Sequence, residues 1–195
     1  RSSGKQGFSI AAAAAAAGAR VTLVAGPVTL ATPPGVTRVD VQTARDMAEA
    51  VRESLPADVA VMTAAVADWR AADMRGQKMK KRSSAPPALR LEENPDILAS
   101  LGTSDRRPAL LIGFAAETED VVEHAKAKRE RKRADWIVAN DVSGPVGASV
   151  MGGADNTIHL VSEGGVEDWP EMAKEEVAMK LVERIAAEME AMNDG

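Results

Sequence analysis

Lys78, Lys80 and Lys81 crowd into one short segment, and Lys126, Lys128, Arg129, Arg131, Lys132 and Arg133 into another, in a chain whose net charge is −5. Cations gathered in this way neutralise phosphate charge and stabilise a leaving pyrophosphate. The plain alternative, usually right for such runs, is a solvated charged surface. Lys128 and Lys132 stand four apart, so on a helix they share a face and repel one another. A bound anion such as a triphosphate relieves that cost, although Glu123 and Glu130 soften it. Lys78 to Arg82 sit in a segment with loop character, where a lid can close over a nucleotide.

Three further motifs belong with these cations. Gly4-Lys5-Gln6-Gly7 precedes an alanine-rich helix, where glycines admit close backbone approach and the helix start offers free amides to a phosphate. This loop is neither a GxGxxG fingerprint nor a P-loop, and a tight turn explains it equally well. Ala64-Ala65-Val66-Ala67-Asp68-Trp69 places a carboxylate just after a buried strand, with small neighbours that leave room for a flat ring. Asp68 there suits a ribose, a base or a metal-bound phosphate, or serves as a turn or cap. Asn94-Pro95-Asp96-Ile97-Leu98 opens a short helix, and Gly113-Phe114-Ala115-Ala116-Glu117-Thr118 ends a strand on an aromatic ring that either packs on a base or fills core. His124 and His159 are the only histidines and lie in different elements, so neither a two-histidine metal site nor a Ser-His-Asp triad is expected.

The elements that must position these groups follow from apolar periodicity and punctuation. Helices are expected over 7–18, from Thr43 to about Leu55, after Asn94-Pro95-Asp96, over 119–133, and from about Pro170 to Met192 as an amphipathic closing helix. Strands are expected over 20–25, 36–41, 58–65, 109–115 and 135–139, with a short one near 89–91 and an edge strand at 157–161. Residues 69–93 read as a flap rather than core, and residues 144–155 as glycine-rich and irregular. Strands alternating with helices imply a parallel sheet wound on both faces, within one domain spanning residues 1–195.

Composition narrows the classes. At 195 residues, with 45% hydrophobic and 27% charged residues, the balance is that of an ordinary globular domain. The absence of cysteine excludes thiolate metal sites and cysteine nucleophiles. The acidic net charge argues against general nucleic-acid binding. No apolar run reaches the roughly 18 residues needed to span a bilayer, and the N-terminus lacks a signal-peptide layout. No membrane partner is expected, and a cytoplasmic location is the default.

Taken in order, SSGKQGFSIAAAAAAAGARVTLVAGPV, TPPGV, AAVADWRAA, KMKK, ENPDIL, GFAAET, KAKRERKRADWIVANDVS and ADNTIHL resemble the phosphopantothenate–cysteine ligase family across nearly the whole chain. The resemblance implies a Rossmann-like α/β fold, a homodimer, CTP as co-substrate and a divalent cation, usually Mg²⁺, whose ligands stay unassigned. It implies a carboxylate attacking the α-phosphate of CTP to give an acyl-cytidylate, followed by attack of the cysteine amine. By motif, Asp68, Lys78, Phe114, Lys128, Lys132 and the segment Pro95, Asp96, Ile97, Leu98 match CTP-binding positions. Lys78 is the candidate catalytic residue, Ala64 and Ala65 match positions near the acyl-cytidylate, and Gly4 and Lys5 lie in the substrate loop. The resemblance further implies a site shared across the dimer, with Ser2 to Gly7 reaching the neighbour's substrate. Family members begin with a strand, a loop and an Asn that helps process the acyl-cytidylate; this sequence opens at Arg1, so those are expected to be missing from it. Residues 147–155 depart from the family pattern. An upstream flavin-dependent decarboxylase, with FMN, accompanies the domain in many bacteria. A nicotinamide dinucleotide-dependent reductase, or a non-catalytic subunit of the same family, are the competing readings.

Overall fold

The computed structural model describes residues 2–72, 90–141 and 155–194. The described elements are α1 (Lys5–Ala16), β1 (Val21–Ala25), β2 (Val36–Asp40), α2 (Ala44–Glu53), β3 (Val59–Met62), β4 (Trp69–Ala71), β5 (Leu91–Glu93), α3 (Ile97–Gly102), β6 (Leu110–Glu117), α4 (Val121–Lys132), β7 (Trp136–Asp141), β8 (Asp155–Ser162), β9 (Gly165–Ala173) and α5 (Lys174–Asn193).

The central sheet has the order β3-β6-β7-β8-β9. β3, β6 and β7 run parallel, β8 runs antiparallel to β7, and β9 antiparallel to β8. Four of the five strands therefore point one way, which is the mostly parallel α/β sheet expected. β1 and β2 form a separate parallel pair, and β4 and β5 a short antiparallel arm.

Period-two alternation in β6 explains the two layers. Leu110 and Ile112 face one side, where Ile10 of α1 and Val177 and Leu181 of α5 join Trp136, Val138, Ile158, Leu160 and Trp169. Leu111 faces the other side, against Leu55 and Leu101. Ile137 and Ala139 share that second face with Ala125 of α4. A third cluster joins Met47 and Ala50 of α2 to Ile97, with Val24, Val39 and Met62 at its margin. Thus α1 and α2 each span from the β1–β2 pair to the central sheet through side chains.

Local signals account for the helix boundaries. Thr43 caps α2 in a capping box: its hydroxyl accepts from the Asp46 amide at 3.1 Å, and the Asp46 carboxylate accepts from the Thr43 amide at 2.9 Å. Gly18 ends the turn after α1 with φ +90°. α1 begins at Lys5, two residues before the expected start, so Lys5, Gln6 and Gly7 belong to its first turn and not to a feeding loop.

Two expectations are corrected. The closing helix does not begin at Pro170: residues Gly165–Ala173 form β9, and α5 starts at Lys174. Glu163-Gly164 makes a tight reversal after β8, and Trp169, 2% exposed, anchors β9 to the core. Pro170 is tolerated because β9 lies at the sheet edge. For the same reason the strand predicted at 157–161 is not an edge: β8 pairs on both sides. Of the expected flap, residues 69–72 and 90–93 supply β4 and β5; its remainder, with Lys78, Lys80 and Lys81, lies outside the described residues, as do most of residues 144–155.

Candidate active site

Because β3, β6 and β7 are parallel, their carboxyl ends share one edge of the sheet, which is where ligands gather in such folds. The start of α1 reaches the same edge. A Cβ added at Gly7 would sit 2.7 Å from the Thr63 hydroxyl, just past β3, so only glycine lets α1 approach this closely. Gly4 precedes α1 with φ 76°, in the left-handed region, and no side chain caps the helix there. Lys5 is exposed.

The loop after β3 carries Ala64, Ala65, Ala67 and Asp68, all exposed. It is tied to the segment before α3 by Asn94. The Asn94 side-chain amide donates to the Ala67 carbonyl at 2.8 Å, and its backbone N–H donates to the Asp68 carbonyl at 2.7 Å. Arg70 donates to the Asn94 side-chain oxygen at 3.4 Å and pairs with Glu92 at 2.7 Å, bracing the arm. Asp68 is thereby fixed beside Pro95 and Asp96, which the sequence separates by more than twenty residues.

Asp96 caps α3, accepting from the Ala99 amide at 3.0 Å, and forms an ion pair with Lys132 of α4. Partial burial raises the Asp96 carboxyl, but the Lys132 hydrogen bond and the Ala99 amide outweigh it and hold the group below the usual carboxylate range. Ile97 and Leu98 are committed to packing: Ile97 joins the α2 cluster, and Leu98 packs on β6 and β7. What these two residues offer a ligand is therefore backbone, not side chain.

Lys128 extends from α4 to β6, where its ammonium donates to the Phe114 carbonyl at 2.8 Å; the strand does not end on this ring, as the sequence suggested, but continues to Glu117. Burial pushes the Lys128 ammonium below its ordinary value, opposed by Glu117 and reinforced by Lys132 and Arg131. The Phe114 ring packs against the core face shared with α1 and α5, so the core explanation of this aromatic holds for its side chain while its carbonyl serves Lys128. The structure thus brings together Asp68, Pro95, Asp96, Phe114, Lys128 and Lys132, with Ala64 and Ala65 on the adjoining loop. Lys78 lies outside the described residues. Thr63 and Arg70 were not singled out from sequence, and Asn94 only as the first residue of the motif that opens α3.

The arrangement presents two lysines, one half-buried and one engaged by a carboxylate, over a loop of small residues at the sheet edge. Such a site suits an anionic ligand with a flat ring. Among the described residues, no cluster of three or more His, Cys, Asp or Glu is placed to hold a metal ion. No described helix is long and apolar enough to cross a membrane.

Comparison with known proteins bears on this site. The model for the DNA/pantothenate metabolism flavoprotein C-terminal domain matches residues 1–189. The chain is 44% identical over 196 residues to the coenzyme A biosynthesis bifunctional protein CoaBC of Escherichia coli (strain K12), covering 98% of this chain and 48% of that protein. It is 40% identical over 191 residues to CoaBC of Bacillus subtilis (strain 168), covering 96% and 46%. The chain thus spans about half the length of these curated relatives. A crystal structure of the C-terminal domain of CoaBC superposes with a TM-score of 0.78 at 38% identity, covering 97% of this chain and 85% of that one. A Cab2 variant in complex with phosphopantothenate-cysteine shares the fold, with a TM-score of 0.74 at 14% identity, covering 100% and 81%. On a family match that runs from residue 1 to residue 189, within α5, and on the shared fold, the chain belongs to the DNA/pantothenate metabolism flavoprotein C-terminal domain family.

Proposed function

We propose that this domain, residues 1–195, is a CTP-dependent ligase that joins phosphopantothenate to cysteine in coenzyme A biosynthesis. The observation that carries the reading is the half-buried Lys128 ammonium, set against the Phe114 carbonyl and next to Lys132, at the carboxyl edge of a parallel sheet. The identity to CoaBC, a coenzyme A biosynthesis protein by name, supports the pathway.

In the first step a carboxylate oxygen of phosphopantothenate attacks the α-phosphorus of CTP, and the bond to the bridging oxygen breaks, releasing pyrophosphate. In the second, the cysteine amine attacks the acyl carbon, CMP leaves, and the amine loses its proton. Little covalent chemistry falls to the protein, so positioning and charge stabilisation dominate. Lys128 and Lys132 neutralise the triphosphate, Lys132 exchanging Asp96 for a phosphate oxygen. Asp68 meets the ribose or base. Gly4 and Lys5 hold substrate, Ala64 and Ala65 leave room for the acyl-cytidylate, and Lys78, on the flap, aids its conversion. Mg²⁺ characteristically keeps several waters and binds through phosphates with one or two carboxylates. The donor set here, with scattered carboxylates at Asp68 and Glu117, fits a cation carried in on the nucleotide.

The domain acts as a homodimer, with Ser2 to Gly7 reaching the neighbour's site. Trp69 and Leu91, 55% and 53% exposed on one face of the β4–β5 arm, leave an apolar surface consistent with assembly. The location is cytoplasmic, and FMN enters only where a decarboxylase domain is fused upstream.

Calorimetric titration with CTP, ATP and NAD in the presence of Mg²⁺ tests the reading. Selective CTP binding is expected, weakened about tenfold or more by Lys128→Met, since a hydrogen bond to a charged group contributes roughly 1.5–3 kcal/mol. Binding of NAD alone sinks the ligase in favour of a reductase. Turnover unchanged by Lys78→Gln sinks the catalytic role of Lys78.

A further inference from the structure

We propose that Asn94 is a positioning residue that sets the two walls of the nucleotide pocket against each other. The inference rests on the nucleotide reading above and deepens it. One wall is the loop after β3, ending at Asp68. The other is Pro95 and Asp96, which continue through the Asp96–Lys132 pair to the basic helix α4. Asn94 is the direct hydrogen-bonded tie between the walls: its side chain holds the Ala67 carbonyl at 2.8 Å, and its amide holds the Asp68 carbonyl at 2.7 Å.

The residue type matters. A primary amide is donor and acceptor at once. The Asn94 amide nitrogen faces Ala67, while its oxygen faces the Arg70 guanidinium at 3.4 Å. Arg70 also donates to the Glu93 carbonyl and pairs with Glu92, so the amide is held from the arm side as well. Aspartate has the same shape but turns an oxygen toward the Ala67 carbonyl, replacing attraction by repulsion. Alanine removes both bonds and leaves the Ala67 carbonyl without this donor. The backbone bond to Asp68 survives either change, so the arm stays attached while the loop loses its fixed orientation. Asn94 acts through Ala67 and Asp68 and not on the reacting atoms.

The test uses Asn94→Asp and Asn94→Ala, with CTP affinity read by calorimetry and amide hydrogen exchange read by mass spectrometry. Both variants are expected to weaken CTP about tenfold, the scale of one lost hydrogen bond with an unsatisfied partner. Exchange is expected to quicken in residues 63–68 and to stay unchanged in β6 and β7. Phosphopantothenate affinity is expected to change less than about threefold, a split that general loss of structure does not produce. Unchanged exchange in residues 63–68, unchanged CTP affinity, or equal weakening of both ligands overturns the assignment. A native chain that binds no CTP overturns the nucleotide reading instead, and the exchange data then judge the tie alone.

Discussion

Replacing Gly102 by alanine sets a local rule against a packing observation, and the two give opposite signs. Gly102 ends α3, and alanine in a helix is favoured over glycine by about 1 kcal/mol. Its φ is not in the left-handed region, so no backbone strain opposes the change. The packing says otherwise. A Cβ at residue 102 would stand 2.2 Å from the Lys132 carbonyl oxygen, 3.1 Å from the Arg133 Cβ and 3.2 Å from the Arg133 carbonyl oxygen. These are mainly backbone atoms at the end of α4, which cannot swing aside as a flexible side chain does. Relief requires α3 to retreat by roughly 1 Å, and overpacking of this kind costs about 1–3 kcal/mol. With the close backbone contact putting the cost near the upper end, the net destabilisation is about 2 kcal/mol. For a chain of this size that lowers the thermal midpoint by roughly 4–8 °C. The same retreat displaces Pro95 and Asp96, the wall of the proposed nucleotide pocket that leads into α3, so CTP affinity falls with it. Differential scanning calorimetry and nucleotide titration read both effects. A midpoint that rises, as the propensity rule alone requires, refutes the reasoning.

Two other perturbations separate cap from charge. Thr43→Ala removes one half of the α2 capping box and is expected to cost about 1 kcal/mol, or roughly 2–4 °C, with CTP affinity unchanged; a midpoint within error of the native one contradicts the cap. Asp96→Asn keeps a good capping residue at α3 but removes the charge facing Lys132, so at neutral pH it costs less than about 1 kcal/mol, the pair being partly exposed. The folded Asp96 carboxyl lies below its ordinary value of 3.8, so its stabilisation is present above that pH and lost as pH falls through the folded value. The native-minus-variant gap should therefore close in acid, and a gap that persists there excludes the ion pair as its source.

How much of this was legible in the sequence depended on how far apart the interacting residues lie. The start of α2 needed only the local signal of Thr43, and it was read correctly, while the answering Asp46 carboxylate was not singled out. The Lys128–Lys132 face followed from helical spacing, and the parallel core from apolar runs such as Leu110 to Ala115. β9 was not legible because Trp169 is the only buried residue in a stretch otherwise rich in Glu167, Asp168 and Glu171. With Pro170 beside it, that stretch imitates a helix start. The role of Asn94 was hidden for another reason. Its side-chain partner lies 27 residues away, as Lys132 lies 36 from Asp96, and no local periodicity reports such distances. The directions of Ile97 and Leu98 likewise came only from packing, since a motif match does not distinguish backbone from side-chain contribution.

The division of the strands into a β1–β2 pair and a five-stranded sheet has a mechanical meaning. Strands joined by a ladder are registered by directional bonds and cannot slide without breaking several together. Among the described residues, no ladder joins β1 or β2 to β3; the two bodies are coupled by the side chains of α1, through Ile10 on the central sheet and Phe8 under Arg38 of β2, and of α2, through Met47. Dispersion and hydrophobic contacts are non-directional, so they permit shear of a few tenths of an ångström at little cost. Gly7 sits on that seam, pressed against Thr63, so compliance between the two bodies is felt first where the start of α1 meets the ligand edge of the sheet.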